Sequence, residues 1–158
     1  MKRSKRKHFV FISHSSIDAW SARQLYQAIT DAGADAFLSV LDIEAGDDAG
    51  QEMREAMDKA DECLVLYSPE AAQSKNVWVE IGGAWMQKKR LTMILTRVSV
   101  PDVTGDPRFP PYLKSLNYYD LNTEFDSRYL PELRGRSQRN TISRRKQRSR
   151  KSPKRGRK

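Results

Sequence analysis

The sequence predicts an α/β domain: a five-stranded parallel sheet flanked by helices on both faces. Three observations predict it. Short apolar runs alternate with segments of helical period along most of the chain. Those runs are apolar throughout instead of alternating with polar residues, as strands covered on both faces are. The segments that follow them are polar and hold Gly or Pro, as loops do.

The elements follow in order. His8–Ser13, HFVFIS, is a buried strand. In the next segment Ala22, Leu25, Tyr26 and Ile29 recur at the spacing of one helical face. Ser15 and Asp18 have the spacing of a capping box, and Gly33 is a natural stop. Asp35–Leu41 is the second strand, Asp42–Asp48 a polar loop, and Met53, Ala56, Met57 and Ala60 mark the second helix. Glu62–Ser68 is the third strand and PEAAQSK a loop. Val77–Lys88 is the third helix and Leu91–Val98 the fourth strand. SVPDVTGDPRFPP carries four of the seven prolines and reads as a long loop. A short helix over Pro111–Leu116, a strand over Asn117–Leu121 and a last helix around Asp126–Leu133 complete the pattern.

Charge divides the chain into three parts. Of the 29 Lys and Arg, residues 1–7 hold five and residues 134–158 hold thirteen, and neither segment has an acid. Residues 8–133 are left with 11 bases against all 20 acids, a net of −9 inside a chain of +9. The expectation is a basic N-terminal extension (1–7), a folded acidic domain (8–133) and a disordered basic tail (134–158) with almost nothing apolar to bury. Such a tail is suited to nonspecific polyanion binding, and its lack of aromatics argues against reading single-stranded bases. The lone Cys63 excludes a disulfide framework and reads as a buried structural thiol in a reducing compartment. No apolar run approaches the roughly 20 residues of a membrane span. The N-terminus lacks the apolar core of a signal peptide, so a cytoplasmic location is expected.

In a parallel α/β sheet, ligands settle at the carboxyl ends of the strands. Here that edge consists of SHSSID, LDIEAGDD, YSPEAAQSKN and the 97–111 loop, and three of the four are rich in Ser, Asp, Asn and Gly. The candidate binding residues are Ser13, His14 and Ser15 after the first strand, Asp42 and Gly46 after the second, and Asn76 beside the third. Ser15 and Ser16 serve equally as helix caps, Gly46 as a turn residue, and His14 as an exposed imidazole. Glu80 stands out on the third helix. At about 100° per residue, Ile81, Ala84 and Lys88 lie within about 40° of Val77, whereas Glu80, Asn76 and Gly83 gather at about 240–300°. The acid therefore borders the buried stripe and shares a flank with a glycine that permits close approach. An ordinary acid in a first helical turn is the competing reading. No HExxH, CxxC or Walker motif is present, so no metal or phosphate-loop chemistry is expected.

Taken together, FISHSSIDAWSARQLYQAITDAG, DIEAGDDAGQEMREAMDKADECLVLYSPEAAQS and VWVEIGGAW resemble the Toll/interleukin-1 receptor (TIR) domain in its bacterial form, over about residues 8–133. The resemblance implies a flavodoxin-like TIR fold. It implies an NAD hydrolase or cyclase that breaks the nicotinamide–ribose bond with Glu80 as its essential acid, NAD being substrate and no cofactor being required. It further implies a role in bacterial signalling or antiphage defence, switched by self-association or by other TIR domains. Two positions depart from the family. Asn76 stands where NAD-cleaving relatives often carry Trp, and Asp48 occupies a region where they carry an aromatic. Those departures favour the alternative of a non-enzymatic TIR adaptor acting through TIR–TIR association. A third reading is a nucleoside deoxyribosyltransferase-like enzyme, which shares the layered fold and a glutamate nucleophile.

Overall fold

The computed structural model describes residues 6–39, 47–114 and 116–139. Strands β1 (Phe9–Ser13), β2 (Asp35–Leu38), β3 (Glu62–Tyr67), β4 (Arg90–Leu95) and β5 (Asn117–Asp120) form one sheet in the order β2-β1-β3-β4-β5. Every pairing is parallel, from Phe9 opposite Asp35 at one edge to Leu95 opposite Asp120 at the other. Helices α1 (Ala19–Asp31), α2 (Asp47–Lys59), α3 (Lys75–Met86) and α4 (Val100–Gly105) make the crossovers that parallel strands require. A π turn at Phe125–Tyr129 leads into a last helix, α5, over 130–139.

Alternation along the strands builds two apolar layers. Phe11, Val65, Tyr67 and Met93 face α2 and α3, where Met57, Val77, Ile81 and Ala84 meet them. Val10, Ile12, Leu64, Leu66 and Ile94 point to the other face, against Leu25 and Ile29 of α1 and Leu130 and Leu133 of α5. Apart from Glu62, Arg90 and Thr92, β3 and β4 are apolar because neither of their faces meets water. Ala22, Leu25 and Ile29 are buried as their spacing predicts; Tyr26 lies at the edge of the stripe, partly exposed. Gly33 closes α1 with φ 90°: its N–H donates to Thr30 O, and the Ala34 N–H donates to Ile29 O. This is a Schellman arrangement, open to glycine without strain.

The two helix starts differ from expectation. Ser15 makes no side-chain cap, because its hydroxyl donates to Asp18 Oδ2 at 2.5 Å. The Ser68 hydroxyl donates to the same oxygen at 2.5 Å, so Asp18 joins the ends of β1 and β3 instead of completing a capping box. A capping box does form between Ser99 and Asp102, with Pro101 in the first turn, and it folds α4 out of a stretch that reads as loop. The helix after β2 begins at Asp47, inside the expected loop.

The domain boundary expected at 133 falls inside α5, which continues to 139. The cause is Glu62, the first residue of β3 and wholly buried. His8 Nε2 lies 3.1 Å from its carboxylate, the Thr92 hydroxyl donates to it at 2.7 Å, and Arg136 of α5 pairs with it at 3.1 Å. Burial alone would raise this carboxyl above its ordinary 4.5. The hydrogen bond with His8, the charge of Arg136 and the Thr92 hydroxyl bring it below that value. Residues 134–139 thus belong to the folded unit, and the rest of the expected tail, 140–158, lies outside the described residues.

Removing the Arg136 cation leaves a buried charge short of its partner. Arg136→Met should cost about 3 kcal/mol in urea unfolding, and Glu62→Gln in the same chain should recover much of that. Because the Glu62 carboxyl is depressed in the folded state, its contribution is complete above 4.5 and should fade as pH falls below it.

Candidate functional site

Helix α3 opens on Ser74, whose hydroxyl accepts the N–H of Val77, and it turns Val77, Ile81 and Ala84 into the core. Glu80 sits beside that stripe and is buried, only 4% exposed. The Ser39 hydroxyl, immediately after β2, donates to Glu80 Oε1. Ser13 closes β1 with a second buried hydroxyl near the same carboxyl. Among the described residues Glu80 Oε2 and Ser13 Oγ have no hydrogen-bond partner, and Glu80 forms no ion pair. Burial pushes the Glu80 carboxyl above its ordinary 4.5, and the Ser13 and Ser39 hydroxyls offset only part of that rise. A buried carboxylate with half its hydrogen-bonding capacity unused costs stability, and functional sites are where proteins tolerate such a cost.

Glu80 borders an open cleft of about 410 Å³ between α2 and α3. Its wall is apolar at Phe11, Met53, Met57 and Val79, has Gly83 one turn beyond the acid, and carries Arg54 as its cation. Such a cleft accepts a flat ring along the apolar wall and presents two acids, Glu80 and Asp58, to whatever the ring is attached to.

The other expected site residues divide between this cleft and a second. Ser13 stands with Glu80. Ser15 and Asn76 line a polar cleft of about 470 Å³ at the carboxyl ends of β1 and β3, together with Ser16, Glu70, Gln73 and Ser74. Asn76, an exposed residue one turn before Glu80, therefore faces a different recess, although the two share a flank by helical angle. His14 is buried, not exposed, with Nδ1 2.6 Å from Ser15 O. Asp42 and Gly46 lie outside the described residues. Trp78 packs edge-on against Tyr67 and Phe109 and donates its indole N–H to Ala72 O, on the far side of the helix from the acid. Cys63 is a fully buried thiol, pushed up first by burial and then by the charges of Glu80 and Glu62.

Three participants are not legible in the sequence. Ser39 reads as a strand residue, and its only signal is a hydroxyl in an apolar run. Arg97 holds Asp18 at 3.0 Å and Glu70 at 2.5 Å, bracing the ends of β1, β3 and β4 above the polar cleft. Its φ of 60° is strained for an arginine, and the two carboxylates hold it there. Among the described residues no cluster of three His, Cys, Asp or Glu side chains could hold a metal ion, and no helix is long and apolar enough to cross a membrane.

Comparison with known proteins agrees with this architecture. Residues 10–134 match the family model for the TIR domain. The fold is similar to the TIR domain of the Toll-related receptor TRR-2 from Hydra magnipapillata, at 18% identity and a TM-score of 0.55 over 85% of this chain and 94% of that one. It is similar also to the TIR domains of the activated Roq1 resistosome that recognises the pathogen effector XopQ, at 14% identity and a TM-score of 0.53 over 85% and 84%. A diflavin flavoprotein A3 from Nostoc sp. shares the layered architecture at 13% identity, with a TM-score of 0.54 over 87% and 98%. At these identities the likeness is one of fold. No curated protein gives a significant match.

The burial of Glu80 has a measurable cost. Glu80→Gln should stabilise the fold by about 1 kcal/mol at neutral pH, since it removes a desolvated charge. A raised carboxyl means that folded Glu80 takes up its proton above 4.5, so the gain should shrink as pH falls through that range toward 4.5. Urea midpoints of the two proteins from neutral to acid pH measure both effects.

Proposed function

The chain belongs to the TIR-domain family, and from that premise and its buried acid we propose that it cleaves the nicotinamide–ribose bond of NAD, with Glu80 as the catalytic carboxylate. The observation that carries the reading is Glu80 itself, a buried acid without a cationic partner that borders a ligand-sized cleft. In this mechanism the nicotinamide ring lies along Met53 and Val79, the more accessible apolar residues of the cleft, and Arg54 faces the diphosphate. The ionised Glu80 stands beside the nicotinamide-side ribose. As the C–N bond lengthens, positive charge grows on the ribose and a desolvated carboxylate stabilises it more strongly than water does. Nicotinamide departs as a neutral molecule from a cationic substrate, so no metal is needed to help it leave. Water or an internal hydroxyl of the substrate completes the reaction, giving a linear or a cyclic product. Ser39 and Ser13 orient the carboxyl, and self-association switches the activity in bacterial signalling or defence within the cytoplasm.

Purified protein should release nicotinamide from NAD, and Glu80→Ala should reduce turnover by at least about 100-fold. The rate should fall on the acid side with an apparent pKa above 4.5, because the ionised carboxylate is the active form. Undetectable release by both proteins at high concentration, with and without crowding agents, would remove the proposal.

A non-enzymatic adaptor is the second reading. It is favoured by Asn76 standing apart from Glu80 and by Val79 and Met86, which expose a two-turn apolar stripe on α3. In that case Val79→Glu with Met86→Glu should abolish association with another TIR domain in pull-down or light scattering, whereas Glu80→Ala should leave it unchanged.

A further inference from the structure

The Glu80 cleft is longer than the reacting bond needs. Helices α2 and α3 both return the chain from the carboxyl edge of the sheet to its amino edge. They pack on the same face, so they run side by side in the same direction, and the cleft lies between them. Met53, Val79 and Glu80 stand at its upper end, Arg54 and Gly83 near its middle, and Asp58 and Gln87 at its lower end. From Glu80 to Gln87 the helix rises about 10 Å, enough for a diphosphate that links two riboses.

The lower end is built from acceptors. Gln87 Nε2 donates to Asp58 Oδ1 at 2.9 Å and ties the ends of the two helices together. Among the described residues nothing donates to Asp58 Oδ2 or Gln87 Oε1, and both residues are exposed. Asp58 also forms no ion pair among the described residues. Lys59 pairs with Glu55, and Lys89 Nζ is engaged by the main-chain oxygens of Asp58 and Ala60. An acid in the last turn of a helix opposes the macrodipole, so Asp58 gains nothing from its place in α2.

We propose that Asp58, held by Gln87, selects the substrate: it accepts the 2′-hydroxyl of the adenosine-side ribose and turns away a dinucleotide phosphorylated there. This rests on the reading of Glu80 as the acid that cleaves NAD. With nicotinamide along Met53 and Val79 and the diphosphate at Arg54, the second ribose falls at Asp58 and Gln87. Ribose hydroxyls donate, and the two free oxygens accept. A carboxylate bonds the 2′-hydroxyl in the same way where open α/β sheets bind unphosphorylated dinucleotides. A 2′-phosphate brings acceptor oxygens and negative charge to a carboxylate that no side-chain cation pairs with. The cleft therefore separates NAD from NADP at the end remote from the chemistry.

Calorimetric titration of the full chain with ADP-ribose and with its 2′-phosphate tests this, since neither ligand carries the nicotinamide bond. ADP-ribose should bind at least about tenfold more tightly. Asp58→Asn should shrink that ratio to about twofold by lifting the repulsion, and Asp58→Arg should reverse it, both with the circular dichroism of wild type. Gln87→Leu should weaken ADP-ribose about fivefold. Equal affinities in wild type, a ratio that neither Asp58 variant changes, or no binding of either ligand would overturn the proposal. Initial rates on NAD and NADP separate it from the reaction itself. Cleavage of both at equal kcat/KM would remove the subsite and leave the reaction. The binding preference without any nicotinamide release would remove the reaction and leave the subsite.

Discussion

A sheet made only of parallel strands must return its chain through helices, and it has no freedom over where its loops lie. All carboxyl ends open at one edge and all amino ends at the other. This constraint sorts the protein into two poles. Polar loops collect above β1, β3 and β4, where Arg97 ties Asp18 to Glu70. Strand starts collect below, where Glu62 takes His8, Thr92 and Arg136. The two buried carboxylates of the apolar layers belong to different regimes. Glu62 is saturated with partners and held ionised, whereas Glu80 has only serine hydroxyls and is pushed toward its neutral form.

That contrast gives Glu80 its meaning. Both acids are almost wholly removed from water, and both could have been silent structural groups. Glu62 shows what this chain does with a structural one: it surrounds the oxygens with a cation, a hydroxyl and an imidazole. At Glu80 it supplies only the hydroxyls of Ser39 and Ser13, with no cation, and opens a cleft beside it. The difference lies in the surroundings. Arg97 reflects the same logic at the polar cleft, where an unfavourable backbone angle persists because two carboxylates hold the side chain in place.

Most of the architecture was legible because apolar period and burial on two faces are local signals. The runs FVFI, ECLVLY and LTMIL could only be strands between helical layers, and Gly33 could only be a stop. The helix Val100–Gly105 was hidden by its prolines, although Ser99 and Asp102 form the capping box that Ser15 and Asp18 only mimic. The extension of α5 was hidden because its cause, Glu62, lies 74 residues away. At the candidate site, the positions of Glu80 beside the buried stripe of α3 and of Ser13 at the end of β1 were legible from helix angle and strand end. Ser39, Asp18 and Arg97 were not, since their roles come from contacts between separate loops. Asn76 shows the limit of helical angle alone: it fixes a flank, but the neighbouring loops decide which recess that flank faces.

The sharing of Glu62 by residue 8 and residue 136 has a topological meaning as well. It brings the two ends of the described chain to one point beneath the sheet. A short linker could join them there, and the chain could be opened at an exposed turn elsewhere with every strand keeping its neighbours. In effect residues 8 to 136 make a nearly closed loop whose two ends meet at its base.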